Sequence, residues 1–150
     1  MMLQFYKMTG TAHDFIMVDN RDRVLNHVLT RENIADLCAR RFGVGADGLI
    51  AVEPAQGKAR VRMRHFAADG AEAEQVCAEA ARCFTAFVDF LMEGDLPEIS
   101  FKTREGVVTG RMNADDTVTL QPAATMQLAA DTLTGPALIV FCGEVIICEG

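Results

Sequence analysis

Between Ala80 and Leu91, the side chains Cys83, Phe84, Phe87, Val88 and Leu91 recur at three- and four-residue steps, and Gly94 follows shortly after. That spacing predicts an amphipathic helix, the longest in the chain, whose apolar stripe must be covered by other parts of the molecule. The flanking segments are short and mostly strand-like. Leu3 to Met8 alternates apolar and polar residues before Thr9-Gly10-Thr11, and Phe15 to Val18, Leu49 to Val52 and Lys58 to Phe66 read as further strands. Ile99 to Lys102, Gly106 to Met112 and Thr117 to Leu120 form a meander of the antiparallel kind. A second helix is expected over Arg31 to Phe42, with Thr30 as N-cap, Ile34, Leu37 and Cys38 on one face and Gly43 as its stop. Pro122 to Asp131 reads as a connector, and Leu138 to Phe141 with Val145 to Cys148 as a closing pair of strands around Gly143. Helices and strands mix without a regular βαβ rhythm, so the expected class is α+β.

With 150 residues, half of them apolar, the chain can bury one sizeable core, and a single domain over 1–150 is expected. A net charge of -7 and no basic cluster beyond Arg60, Arg62 and Arg64 argue against a nucleic-acid partner. The longest apolar runs, such as Ala137 to Phe141, are too short for a bilayer, and Met1 to Asp14 lacks a signal peptide's apolar centre. No membrane partner and a cytoplasmic location are therefore expected. Five cysteines without a C-x-x-C pair favour reduced thiols over a disulfide framework or a zinc site. The three histidines show no ligand spacing, so no metal is expected. Gly43-Val44-Gly45-Ala46-Asp47-Gly48 matches G-x-G-x-x-G, but it closes a helix and opens a strand, the reverse of a dinucleotide site.

Five blocks in order resemble the diaminopimelate epimerase family. They are Lys7-Met8-Thr9-Gly10 with Asp14-Phe15, Arg41 to Leu49, Ala68-Asp69-Gly70, Ala81-Arg82-Cys83-Phe84, and Lys102-Thr103. The resemblance implies a lobe of mostly antiparallel strands wrapped around a central helix. It also implies isomerase chemistry without pyridoxal phosphate, of the lysine-biosynthesis kind, with one cysteine from each of two lobes. This chain has about half the family's length. Thr134 to Glu144 resembles the family's extreme carboxy terminus, so the expected layout is a first-lobe core over 1–121, a connector over 122–132 in place of the second lobe, and returning strands over 133–150.

Inverting an α-carbon without a cofactor needs a base on one face and an acid on the other. The substrate carboxylate is held by backbone N–H groups at a helix N-terminus. On the family's pattern Cys77 is the first-lobe thiol, and Gly-Asn-Gly should follow it; here the successors are Ala78-Glu79-Ala80. The alanines are expected to place methyl groups over the anion site, and Glu79 to repel a carboxylate. His13 and Ala67 stand where the family has substrate-contacting asparagines, and one extra residue, Gln75 or Val76, must be absorbed as a bulge or within a helix. His13 reads as a turn or pocket residue rather than a base. Cys38, Cys83, Cys142 and Cys148 read as core or near-surface thiols.

A competing local reading exists. Ala71 to Glu93 contains no Gly or Pro, which favours a continuous helix from Asp69 or Gly70 with Cys77 inside it. The expected function is a single-lobe, epimerase-like protein impaired in the standard reaction, with a small amino acid as its possible ligand. The alternatives are a homodimeric isomerase using Cys77 from each chain and a noncatalytic interaction module whose uncovered face self-associates.

Overall fold

The computed structural model describes residues 1–57 and 59–148. Lys58, the expected start of the fourth strand, and residues 149–150 of the returning segment lie outside the described residues. The elements run β1 (Met2–Thr9), β2 (Asp14–Asp19), α1 (Arg31–Cys38), β3 (Gly48–Pro54), β4 (Val61–Ala67), α2 (Ala78–Leu91), β5 (Ile99–Thr103), β6 (Gly106–Met112) and β7 (Val118–Gln121). A short 3-10 turn at Ala130–Thr132, then β8 (Thr134–Gly135) and β9 (Leu138–Ile146), complete the chain. The strands form one mixed sheet in the order β8-β7-β6-β5-β4-β3-β2-β1-β9. The pairs β2/β3 and β4/β5 are parallel and the other neighbours antiparallel. The fold is α+β.

The sheet curls around α2, which contacts every strand from β2 to β9. Cys83, Phe84, Phe87 and Val88 of α2 are almost fully buried, and Phe84 packs on Phe101 with ring centroids 4.6 Å apart. Period-2 alternation sorts the strands between two cores. Phe15, Met17, Ile50 and Val52 face α2, whereas Ile16, Val18, Leu49 and Ala51 face α1 and its Ile34, Leu37 and Cys38. β2 and β3 are thus buried on both sides, which is why they read as unbroken apolar runs. Among the described residues, no helix is long and apolar enough to cross a membrane.

Three local expectations need correction. α1 ends at Cys38, not Phe42, because the chain turns back after Ala39 (ψ 123°) and the N–H groups of Gly43 and Gly45 bond to Ala39 and Leu37 carbonyls. Gly43 therefore presses on the helix end: a Cβ there would meet the Asp36 carbonyl oxygen at 2.1 Å. The closing strands are one continuous strand, β9, antiparallel to β1, with Gly143 opposite Phe5 rather than in a turn. A Cβ on Gly143 would stand 3.3 Å from the Phe5 ring, so the glycine makes room for an aromatic neighbour.

The third correction concerns α2, which starts at Ala78 and not near Asp69. Gly70 has φ +86°, a left-handed conformation, and a Cβ there would lie 2.1 Å from the Arg31 carbonyl oxygen. Ala67 and Ala71 close a turn, and Phe66 bridges to Glu72, so the chain folds back on β4. Gln75 and Val76 belong to the irregular approach to the helix, neither a bulge nor a helical turn. Helix propensity over 71–77 is overridden by this tertiary anchoring.

Candidate functional site

Cys77 is the N-cap residue of α2, in an extended conformation (φ −94°, ψ 130°) and half-buried, with no side-chain capping bond. Its carbonyl accepts the first helical bond, from Ala81 N–H at 2.9 Å. The N–H groups of Ala78, Glu79 and Ala80 thus have no partner within the helix, and the positive end of the helix dipole lies beside the thiol. The chain is helical from Ala78 because alanines and Glu79 favour it there, and because Ala80, Ala81 and Cys83 bury themselves in the core.

A cleft of about 350 Å³ opens at this helix end, between Thr11 of the β1–β2 turn and the 131–136 segment, with Cys77, Ala78, Glu79 and Arg82 on its wall. Arg82 is 2% exposed and is the residue that shapes this wall. Its Nη1 donates to the Thr132 carbonyl, Nε to the Pro136 carbonyl at 3.4 Å, and Nη2 to Thr11 Oγ1 at 3.0 Å. Gly135 lies flat on it, since a Cβ there would be 3.0 Å from the guanidinium carbon. In the sequence Arg82 is a cation four residues after Ala78 on the buried face of the helix, a position that by itself indicates no role.

Glu79 reaches across to the β1–β2 turn. Its Oε2 accepts from the backbone N–H groups of Ala12 and His13, each at 2.9 Å, and its Oε1 is 3.0 Å from His13 Nδ1. The bare Cα of Gly10 allows this approach, because a Cβ there would lie 2.8 Å from Oε2. Burial pushes the Glu79 carboxyl upward, but the Ala12 and His13 contacts outweigh it and hold the group below its ordinary value. The Glu79 hydrogen bond in turn raises His13, against a smaller opposing effect of burial. Glu79 therefore acts as a clamp between helix and turn, a role that its reading as a simple repulsive charge did not include.

The structure gathers only part of the expected set. Cys77, Ala78 and Glu79 line the cleft, and His13 is tied to it through Glu79. Ala80 does not line it; its methyl group is fully buried in the core and does not cover an anion site. Ala67 is exposed at the end of β4, beyond the lining of the cleft.

A second carboxylate grips the same turn from behind. Asp14 takes two bonds from Arg40, at 2.8 and 2.9 Å, and an ion pair from the buried Lys7 at 3.0 Å. The backbone N–H of Asp14 donates to the Asp47 carboxylate, and that of Asp47 to the Asp14 carboxylate. Arg40, ahead of the opposing effect of burial, holds the Asp14 carboxyl far below the usual range.

Of the five thiols, only Cys77 lines the cleft. Burial pushes Cys38 up to about 11 and Cys83 up to about 12, which leaves both as inert core thiols. Cys142 and Cys148 are exposed elsewhere. Among the described residues, no group of three or more His, Cys, Asp or Glu side chains is placed to hold a metal ion. One thiol beside unpaired helix N–H groups can exchange a proton with one face of a ligand.

Comparison with known proteins follows this geometry. The diaminopimelate epimerase family profile matches residues 5–126. The chain is similar to diaminopimelate epimerase of Picosynechococcus sp., 37% identical over 136 residues that cover 89% of this chain and 48% of the relative. It is similar also to diaminopimelate epimerase of Synechocystis sp., 35% identical over 147 residues, or 98% of this chain and 51% of the relative. The chain spans about half the length of the curated relatives it matches. Among solved structures, methylitaconate-delta-isomerase shares the fold with a TM-score of 0.66 at 13% identity, covering 98% of this chain and 96% of that one.

Proposed function

Because this chain belongs to the diaminopimelate epimerase family, we propose that it is an epimerase-type lobe that keeps the ligand-facing helix end but is impaired in the two-thiol reaction. The observation that carries this reading is the Glu79 carboxylate, clamped on Ala12 and His13 at the mouth of a cleft that holds a single thiol. Epimerisation needs a proton removed from one face of the α-carbon and another delivered to the opposite face. Cys77 serves one face only. The neighbouring carboxylate also opposes the carboxylate of an incoming amino acid, while the free N–H groups of the helix end attract it, so these two effects compete at one position.

The layout in this reading is a core over 1–121, a connector over 122–132 and a returning segment from 133, with β9 pairing to β1 along eight residues of the latter as support. The ligand is a small amino acid, no cofactor takes part, and the protein works in the cytoplasm, where its five thiols stay reduced. The test is incubation of diaminopimelate with a high concentration of the protein in deuterium oxide. Neither inversion nor α-deuterium above the protein-free control is expected. Incorporation that scales with protein and disappears in Cys77→Ser would overturn the reading.

A second reading, a homodimeric isomerase with Cys77 from each chain in a shared cleft, draws on the half-buried Cys77 at the wall of an open cleft. It requires the two thiols to face each other across a dyad.

A further inference from the structure

The two ends of α2 open on different spaces. Its first turn faces the Cys77 cleft, and its last, 14 residues and about 21 Å along the axis, faces a second cavity that shares no lining residue with the first. This cavity holds about 220 Å³. Val61, Val88 and Ile99, all buried, form its apolar floor, with the half-buried Met92 beside them.

The sheet itself makes the gap. β4 and β5 are parallel neighbours, yet they pair only at Val61 with Phe101 and at Arg62 with Lys102. One residue earlier, the Arg60 carbonyl accepts from Ala55 N–H at 3.1 Å, on the β3 side. Pro97, two residues before β5, has no N–H with which to extend a ladder. The two strands part here, and the space between them is bounded by side chains.

Opposite charges stand at its mouth. Arg60 and Glu98 line the cavity and are exposed, and among the described residues neither makes a hydrogen bond or an ion pair, with each other or with any other group. The negative end of the α2 dipole adds to the acidic side, because the last turn carries no basic residue to offset it.

We propose that this cavity binds a free apolar α-amino acid of about leucine's size, with its carboxylate on Arg60, its ammonium on Glu98 and its side chain on Val61, Val88 and Ile99. Each part of that ligand answers one part of the wall. An apolar space of about 150 Å³ is enough for a benzene ring, so this one takes a branched or aromatic side chain, but it is smaller than the roughly 300 Å³ at which drug-sized pockets begin. A guanidinium pairs with a carboxylate through two parallel N–H bonds. A fatty acid would meet Arg60 and set its charge against Glu98, and an alkylamine would do the reverse. A zwitterion meets both. The site does not depend on how the Cys77 cleft is read, since no residue is common to the two.

Titration of L-leucine into the whole chain tests the proposal, followed by calorimetry and by the methyl resonance of Met92, which is identified by its loss in Met92→Leu. Saturable binding that shifts this resonance is expected. Arg60→Gln and Glu98→Gln, both at exposed positions, should each weaken binding about tenfold, as the loss of one hydrogen bond to a charged group implies. Isocaproate and isoamylamine keep leucine's side chain and lack one charge each, so both should bind correspondingly less tightly, and glycine, which has no side chain, should not bind. No saturable binding of leucine, shifts confined to other methionines, an affinity indifferent to either charge substitution, or a singly charged analogue that binds as tightly as leucine would each overturn the proposal.

Discussion

Asp14 and Glu79 hold the same β1–β2 turn, one from behind and one from the cleft, and they do so in different ways. Asp14 sits between two cations, the buried Lys7 and the paired nitrogens of Arg40, and also accepts from the backbone N–H of Asp47. Glu79 binds two backbone N–H groups and a half-exposed imidazole. The contrast separates a structural clasp, in which a buried charge demands its partner, from a clamp that only sets the position of a loop over the site. Asp14 neighbours Lys7 and the Arg41 to Leu49 block that carry the family pattern, whereas Glu79 is one of the residues that depart from it.

The sharpest way to break the comparison is to remove each carboxylate. Asp14→Ala leaves the Lys7 ammonium buried without a counter-ion and is expected to lower the unfolding free energy by about 3 kcal/mol in urea denaturation. Glu79→Ala frees two N–H groups that water can reach, for an expected loss of about 1 kcal/mol in the same measurement. A larger loss at Glu79 than at Asp14 would reverse the assignment.

Acidity separates the two again. The Asp14 carboxyl is held below its unfolded value, so its contribution is complete above roughly pH 4 and is lost as the pH falls below that. His13 is raised above its unfolded value, so its contribution is complete below roughly pH 6.5 and fades as the pH rises through the higher folded value. Denaturation midpoints against pH should therefore lose the Asp14 part only on the acid side, and the His13 part only on the alkaline side. In Glu79→Gln, the His13 imidazole resonances should titrate closer to the ordinary value. No change there would sink the clamp.

The smallest effect is on reactivity. Cys77, Cys142 and Cys148 should react with iodoacetamide in the folded protein, and Cys38 and Cys83 only after unfolding, as counted by intact mass.

Much of this was legible in the chain. The spacing of Cys83, Phe84, Phe87, Val88 and Leu91 located α2 because a buried helix leaves a 3.6-residue trace whatever surrounds it. Alternation along β1 and β4 and the apolar runs of β2 and β3 likewise reflect local geometry. The Cys77 site was legible only in part, through its place in a pattern of residue types. That pattern gave no hint that Glu79 turns away to Ala12 and His13, nor that Arg82 spans to Thr11 and Thr132, since these contacts join residues 50 to 71 positions apart.

The class, the central helix, most of the strands and the family are written in the order of the residues, because periodicity and ordered motifs are properties of neighbouring positions. Where α2 begins, that α1 stops at Cys38 and that the last strand is single depend instead on how the chain packs. At Gly70 and Gly143 a contact with a backbone carbonyl or ring far away in sequence, and at Gly43 one with the carbonyls of the preceding helix end, outweighed what the neighbouring residues preferred. Packing also decided that the longest bare edge of the sheet is β9. Exposure of an edge depends on which strands pair, and no local pattern records that.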